Sequence, residues 1–353
     1  MPRPDFVSLP KALLHDHLDG GVRVGTVIEL AEESGYGDLP STDPVDLAEW
    51  FHQHDAGHLV EYLKAFEHTV GVLQTPDALE RVAYECAVDL SADGVVYAEV
   101  RFGPSLHLEQ GMRREDALEA VVAGMRRGVG ETGLEFGIIA AAMRQEDDSL
   151  EVAKAAARFV GLGVVGFDIA GPEIGFPADD HIAACRLARE AGLGLTIHAG
   201  EHDGPQSVWR ASGRCGAQRI GHGARIIEDC RVVDGEIVGL GGLARTVRDH
   251  QIPLEICITS NLHTKIAGSA AEHPVGALVR AGFRVTLNTD NRLMSSTRHS
   301  RELDLAYSEA GISLDTLGQI TETALRVGFG DWDARSRLIH EVVRPAYEAA
   351  ALS

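Results

Sequence analysis

Short apolar runs recur eight times along the chain, and amphipathic stretches lie between them. The runs are rich in Val, Ile and Leu, as the strands of a parallel sheet are when both faces are covered. They occupy residues 12–17, 95–102, 136–142, 164–169, 194–198, 218–222, 253–259 and 284–289. Helical patterns fall on 76–92, 114–131, 149–160, 179–191, 240–250 and 274–281. Eight alternating strand and helix units predict an α/β fold, the (β/α)8 or TIM barrel.

The length of 353 residues suits one such barrel with insertions. No linker, low-complexity tract or charge block marks a boundary, so residues 1–353 are predicted to form a single domain. The connection over 20–93 departs from the repeat and carries several helical patterns, which predicts additional helices covering the barrel mouth. Further helices over 300–351 are expected to close the outside of the barrel.

The formal charge of −21, from 53 acidic and 32 basic side chains, argues against nucleic acid and anionic membrane surfaces as partners. No apolar stretch has the length of a signal peptide or of a membrane span. The cysteines form no CxxC pair and are interpreted as reduced thiols of a cytoplasmic protein. They stand at positions 86, 185, 215, 230 and 257.

Polar side chains stand at or just past the ends of several apolar runs, where the active site of a barrel forms. Residues two apart on a strand point to the same face, so His15 and His17 direct two imidazoles at one point. His198 ends the fifth run, and Asp290 follows the eighth. Three nitrogen donors and one carboxylate suit zinc, with water completing the shell. Taken singly, a strand-terminal histidine is more often a hydrogen-bonded structural residue; the coincidence of four donors favours a metal site.

Two further residues are candidates for proton transfer. Glu201 follows His198 by three residues and can face the same cavity without binding the metal, although a carboxylate in the first turn of a helix is an alternative interpretation. His222 ends the sixth run and can orient a zinc-bound water or accept its proton. Zinc lowers the pKa of its water to about 7, which makes a hydroxide nucleophile available at neutral pH.

Other charged and histidine residues receive structural interpretations. Asp16 points away from the two neighbouring histidines, which favours strand packing or support of a metal ligand. Arg101 is interpreted either as part of a buried ion pair or as a substrate contact. The remaining twelve histidines are interpreted as surface or lid residues, since they lie mostly in polar stretches: His52, His54, His58, His68, His107, His181, His202, His250, His263, His273, His299 and His340.

The motifs in this order resemble the adenosine deaminase family of metal-dependent barrel hydrolases. The resemblance covers nearly the whole chain, and its specificity lies in the ordered set rather than in any one motif. The motifs span residues 10–20, 95–102, 166–171, 198–201, 219–223, 259–261 and 288–290.

The resemblance implies roles for the candidate residues. His15, His17, His198 and Asp290 are implied to bind one zinc ion per subunit. Glu201 is implied to donate a proton to the purine ring, and His222 to act on the zinc water.

The same resemblance implies substrate contacts. Asp19 matches a residue that holds a ribose hydroxyl, whereas relatives that act on free adenine tend to have Glu there; Asp19 therefore favours a purine nucleoside as the small-molecule partner. Gly171 matches a glycine whose backbone meets the purine N3 edge. Asn291 departs from the second aspartate of many members, yet its amide can donate to N7. The stripe Leu59, Tyr62, Leu63 and Phe66, at helical spacing within 58–72, is interpreted either as a lid or as helix core.

We therefore expect zinc-dependent hydrolytic deamination of adenosine, and of 2′-deoxyadenosine, to inosine and ammonia. One alternative is a deaminase of another 6-aminopurine compound, such as a modified nucleoside, adenine or aminodeoxyfutalosine. The other is a non-catalytic purine-binding protein. The sequence does not determine the oligomeric state.

Overall fold

The computed structural model describes residues 3–54, 56–57 and 59–352. Its strands are β1 (Lys11–His17), β2 (Val95–Phe102), β3 (Glu135–Met143), β4 (Val164–Ala170), β5 (Gly194–Ala199), β6 (Arg219–His222), β7 (Cys230–Val233), β8 (Glu236–Leu240), β9 (Leu254–Ile256) and β10 (Val285–Leu287). Eight of them pair in parallel in the order β1-β2-β3-β4-β5-β6-β9-β10. The predicted barrel sheet is therefore confirmed.

The barrel closes where the ends of β1 and β10 meet. Residues Asp16 and Asp290 form a parallel bridge. The backbone N–H of His17 donates to the carbonyl oxygen of Asp290 at 2.8 Å, and the N–H of Asp290 donates to the carbonyl oxygen of His15 at 2.9 Å. Nearer the amino end of β1, the N–H of Leu14 donates to Oδ1 of Asn288 at 2.9 Å. This seam holds three of the four predicted metal ligands on adjoining segments.

Helices cover the outside and the mouth of the barrel. They are α1 (Val24–Ser34), α2 (Pro44–Phe51), α3 (Leu59–Leu63), α4 (Phe66–Val72), α5 (Pro76–Ala92), α6 (Arg114–Thr132), α7 (Ser149–Ala157), α8 (Ile182–Glu190), α9 (Pro205–Trp209), α10 (Gly242–Asp249), α11 (Ile258–His263), α12 (Val275–Arg280), α13 (His299–Ser308), α14 (Leu314–Val327), α15 (Trp332–Arg337) and α16 (Arg344–Leu352). None of these helices combines the length and the apolar content that a membrane crossing needs.

Two local predictions were wrong or incomplete. The run 253–259 is a strand only to Ile256, because the chain turns directly into α11 at Ile258. The antiparallel hairpin of β7 and β8 was not predicted. Its signal was present in Asp234-Gly235, both of which have positive φ, the conformation that a two-residue hairpin turn of this composition adopts.

Charged side chains fill the centre of the barrel below the site. Arg101 on β2 donates from Nη1 to Asp168 at 2.7 Å and from Nη2 to Glu255 at 2.8 Å. Arg219 on β6 reaches the other oxygen of Glu255 at 2.6 Å and Glu99 at 2.6 Å. All five side chains are almost fully buried. Arg101 is thus part of a buried ion-pair network, as one of its two interpretations predicted.

Candidate active site

The four predicted metal ligands converge at the carboxyl ends of β1 and β5 and just beyond β10. One donor atom from each of His15, His17, His198 and Asp290 lies within 4.8 Å of all the others. The Nε2 atoms of His17 and His198 are 3.2 Å apart. Oδ1 of Asp290 lies 3.5 Å from Nε2 of His15 and 3.4 Å from Nε2 of His17. The donors therefore surround one small volume.

Two of the strand-end residues have left-handed backbone conformations, which residues other than glycine rarely adopt. His222 has φ of 60° and Asp290 has φ of 59°. Non-glycine residues in the left-handed region are uncommon and concentrate at functional sites, where the surrounding structure holds them. At Asp290 the barrel seam supplies the backbone contacts, and Oγ of Ser260 donates to Oδ2 at 2.6 Å.

Carboxylates behind two of the histidines orient their rings. Oε2 of Glu255 lies 2.9 Å from Nδ1 of His15, and Oδ2 of Asp168 lies 2.9 Å from Nδ1 of His198. A ring whose Nδ1–H faces a carboxylate presents an unprotonated Nε2 to a metal, which is the usual arrangement around protein-bound zinc. Nε2 of His15 is buried and has no hydrogen-bond partner. This nitrogen is therefore available to donate its electron pair to a metal ion.

The pKa shifts of three of the four predicted ligands also suit a cation, whereas Asp290 and Glu255 raise the pKa of His15 despite its burial. Burial lowers the pKa of His198 and lowers that of His17 well below its usual range. Burial alone would raise the pKa of Asp290, but the proximity of the His15, His222 and His17 rings holds it well below the ordinary value. Neutral imidazoles and an ionised carboxylate are the forms that bind metal.

Glu201 lies on the turn after β5 with its carboxyl group in the same cavity. Glu173 holds this turn in place, because its carboxylate accepts hydrogen bonds from the N–H groups of Gly200 at 2.6 Å, Glu201 at 3.1 Å and His202 at 2.6 Å. Burial raises the pKa of Glu201 well above its ordinary value, and the negative charges of Asp290 and Glu173 add to the effect. A raised pKa favours the protonated form of a glutamate, which is the form that can serve as a general acid.

His222 lies beside the glutamate, with Nε2 at 3.6 Å from Oε2 of Glu201. Its other ring nitrogen, Nδ1, contacts the side-chain amide of Asn261 at 3.1 Å. Burial lowers the pKa of His222 well below its usual range, so the ring is neutral. The two candidates for proton transfer therefore face each other across the cavity floor.

A cavity of about 350 Å³ opens above these groups. The three predicted substrate contacts, Asp19, Gly171 and Asn291, all line it. Oδ1 of Asp19 is buried without a hydrogen-bond partner. Gly171 has φ of 98°, a backbone conformation that favours glycine.

The apolar stripe on α3 and α4 lies over the mouth. Leu59, Tyr62, Leu63 and Phe66 all line the cavity, which agrees with the lid interpretation. Tyr62 is buried, and its hydroxyl is 2.8 Å from Oγ of Ser295. The cavity is thus apolar on the mouth side and polar on the floor, as a site for a flat heterocycle requires.

The interpretation of the other histidines was partly wrong. Five of them are buried rather than at the surface: His107, His181, His263, His273 and His299. Local polarity misled the prediction, since it does not report which side chains distant segments cover. His58 lies outside the described residues. Asp16 does point away from the site, where its carboxylate accepts from Nε of Arg292 at 2.8 Å.

Sequence reasoning missed several residues that shape the site. Glu173 holds the turn that carries Glu201, and Glu255 holds the ring of His15. Nothing in the local sequence distinguishes Glu173 from ordinary acidic residues, whereas the position of Glu255 inside an apolar run was a signal that was not used. Met143 ends the third strand, Gln145 follows it, and both line the cavity, a position that the strand-end rule singles out. That rule was applied to histidines and carboxylates alone.

A parallel eight-stranded barrel with this cluster at the carboxyl ends of its strands is a TIM-barrel enzyme with a candidate metal centre. The model of the family described as adenosine deaminase matches residues 10–345. The chain therefore belongs to the adenosine deaminase family and is a hydrolytic deaminase.

Relatives and solved structures support this membership. "Adenosine deaminase 1" of Streptomyces coelicolor is 50% identical over 98% of this chain and 89% of its own length. The N6-mAMP deaminase of Arabidopsis is 27% identical, with a TM-score of 0.80 over 98% of this chain and 99% of that one. A zinc-bound amidohydrolase from Burkholderia ambifaria has a TM-score of 0.86 at 24% identity, over 99% of this chain and 95% of that one, and shares the fold.

Proposed function

We propose that the protein hydrolyses adenosine, and 2′-deoxyadenosine, to the corresponding inosine and ammonia with one zinc ion per subunit. The observation that carries the proposal is the position of Glu201, a buried carboxyl group with a raised pKa, on the floor of a cavity whose other floor groups are three histidines and an aspartate. The name of the Streptomyces coelicolor relative supports adenosine as the substrate.

The residues present fit zinc. His15, His17, His198 and Asp290 would hold the ion, since three imidazole nitrogens and one carboxylate are donors that zinc prefers. The unpartnered, buried Nε2 of His15 is a second indication. When bound, zinc lowers the pKa of a water in contact with it to about 7 and makes hydroxide available at neutral pH.

Glu201 and His222 would carry the proton chemistry. Glu201 would protonate N1 of the purine ring, which makes C6 electrophilic, and its raised pKa keeps that proton available at neutral pH. His222, whose Nε2 lies 3.6 Å from Oε2 of Glu201, would orient the attacking water. Addition of water at C6 and departure of the amino group as ammonia complete the hydrolysis.

The cavity walls would position the nucleoside. Asp19, with an unpartnered buried oxygen, would accept a hydrogen bond from a ribose hydroxyl. The backbone of Gly171 would meet the N3 edge, and the amide of Asn291 would donate to N7. The aromatic rings of Tyr62 and Phe66 would cover the purine from the mouth side.

One second candidate has an observation in its favour. The Arabidopsis relative deaminates N6-mAMP, so this fold accepts 6-aminopurines other than adenosine. Asn291 is the departure from the family pattern that would permit such a substrate. The alternative of a non-catalytic purine-binding protein disagrees with membership of the deaminase family.

The test is ammonia release from adenosine, 2′-deoxyadenosine, adenine and AMP measured side by side with the zinc-loaded protein. We expect both nucleosides to exceed adenine and AMP in kcat/KM. AMP as the best substrate, or tight binding of all four without ammonia release, would contradict the proposal. Metal analysis of the same preparation checks one zinc per chain. The cytoplasmic location and the single-domain organisation of residues 1–353 stay predictions.

A further inference from the structure

A chain of hydrogen bonds runs from the backbone of α12 to the ring of His222. The N–H of Val275 contacts Nδ1 of His273 at 3.1 Å. Nε2 of His273 contacts Oδ1 of Asn261 at 3.1 Å, and Nδ2 of Asn261 contacts Nδ1 of His222 at 3.1 Å. His222, Asn261 and His273 are 1%, 0% and 4% exposed, so solvent does not compete for these bonds.

The donor and the acceptor of each of these hydrogen bonds follow from the Val275 end. The backbone N–H of Val275 can only donate, so Nδ1 of His273 must be the acceptor. A neutral imidazole that accepts at Nδ1 carries its proton at Nε2, which then donates to Oδ1 of Asn261. The amide nitrogen of Asn261 is left to donate to Nδ1 of His222. His222 accepts at Nδ1 and therefore carries its proton at Nε2, on the side of the cavity.

Two observations strengthen this assignment. Burial lowers the pKa of His273 to about 3, so its ring is neutral at any pH at which the protein works. The Asn261 amide also excludes the doubly protonated form of His222, because two N–H groups would then face each other at 3.1 Å.

We propose that His273 and Asn261 are positioning residues that hold His222 with its proton on Nε2, so that His222 donates a hydrogen bond to the attacking water instead of removing its proton. This inference rests on the proposed function and chooses between the two roles that the sequence left open for His222. Neither His273 nor Asn261 is among the residues that line the cavity, so both act through His222.

The test is nitrogen NMR of the zinc-loaded protein with 15N-labelled histidine, in which two-bond proton correlations distinguish the Nε2–H from the Nδ1–H tautomer. Signals of His222 are assigned by their loss in His222→Gln. We expect the Nε2–H pattern in the unmodified protein. In Asn261→Asp both oxygens accept, so His222 should change to the Nδ1–H pattern.

Kinetics of two variants at one position separate positioning from simple packing. His273→Gln keeps an N–H donor towards Asn261, whereas His273→Leu removes it. We expect kcat to fall about tenfold or more in His273→Leu with KM nearly unchanged, and to recover to within about threefold in His273→Gln. His299→Leu, which removes another buried histidine that does not line the cavity, should leave kcat and the His222 tautomer unchanged.

The outcomes are distinct. An Nδ1–H His222 in the unmodified protein would overturn the inference, whatever its activity. Equal loss in the Gln and Leu variants, with the tautomer intact in both, would also overturn it. If His273→Leu fails to fold, Asn261→Asp and His273→Gln still decide. An Nε2–H His222 in a protein that releases no ammonia would reject the proposed function and leave the tautomer assignment standing.

Discussion

Oδ2 of Asp168 lies 2.9 Å from Nδ1 of His198 and accepts a hydrogen bond from Arg101 at 2.7 Å. Arg101 and His198 together keep the pKa of Asp168 far below its ordinary range, although burial alone would raise it. A permanently ionised carboxylate at this place holds the Nδ1 proton of the ring and leaves Nε2 free for metal.

Replacing Asp168 with Asn should therefore weaken zinc binding about 10–100-fold, because the ring loses the acceptor that orients it. Competition with a chromophoric chelator measures the affinity. The matched control is Asp93→Asn. Asp93 is a buried aspartate that accepts hydrogen bonds from the N–H and Oγ of Ser300 and does not line the cavity, so this change should leave zinc affinity unchanged. Equal weakening in both variants would contradict the orienting role.

Replacing Glu201 with Gln should lower the deamination rate by roughly 10²–10⁴-fold with zinc retained, because the amide cannot deliver the proton that N1 needs. Steady-state ammonia release and metal analysis of the same sample check both parts. Glu302→Gln is the control, since Glu302 is a buried glutamate with a raised pKa that does not line the cavity. A Glu201→Gln rate close to that of the control would remove Glu201 from the mechanism.

Replacing Asp19 with Ala should reduce kcat/KM for adenosine by about tenfold, the equivalent of one lost hydrogen bond to a buried carboxyl group whose pKa burial raises to about 7. The reduction should be much smaller for adenine, which has no ribose. Measuring both substrates with the same enzyme preparation gives the comparison. A parallel loss on nucleoside and free base would show that Asp19 supports the metal ligands instead of the sugar.

His299 predicts how stability depends on pH. Burial lowers its pKa to about 3 in the folded protein, against about 6.5 in an unfolded chain. Between these values the unfolded chain binds a proton that the folded chain does not, so the free energy of unfolding falls as pH decreases below about 6.5. His299→Leu should reduce this slope by up to about 1.4 kcal/mol per pH unit. Urea unfolding at pH 5 to 7 measures the slope, and an unchanged slope would contradict the buried, neutral assignment.

The sequence predicted the parts of this protein that repeat or that follow from strand ends. The eight apolar runs predicted the barrel, and the strand-end rule singled out the histidines and carboxylates that now lie within a few ångströms of one another. Both rules depend on local pattern alone, which a single sequence contains.

The residues that were missed depend on contacts between distant segments. Glu255 lies inside an apolar run and gains its meaning only from Arg101 and His15, which are more than 150 residues away. His273 stands between Glu272 and Pro274, just before α12, and only folding covers it. Such residues are found by asking which buried charges inside the barrel need a partner of opposite charge. The answer requires the strand register, because the register shows which side chains are neighbours.

The bridge between Asp16 and Asp290 also has a meaning for biogenesis. Since the proposed zinc ligands of the first strand meet Asp290 only across this seam, an incompletely synthesised chain would lack the complete proposed site. Zinc uptake should therefore mark completion of the whole barrel, and a nascent polypeptide should neither withdraw the metal from the cell nor display a half-built catalyst.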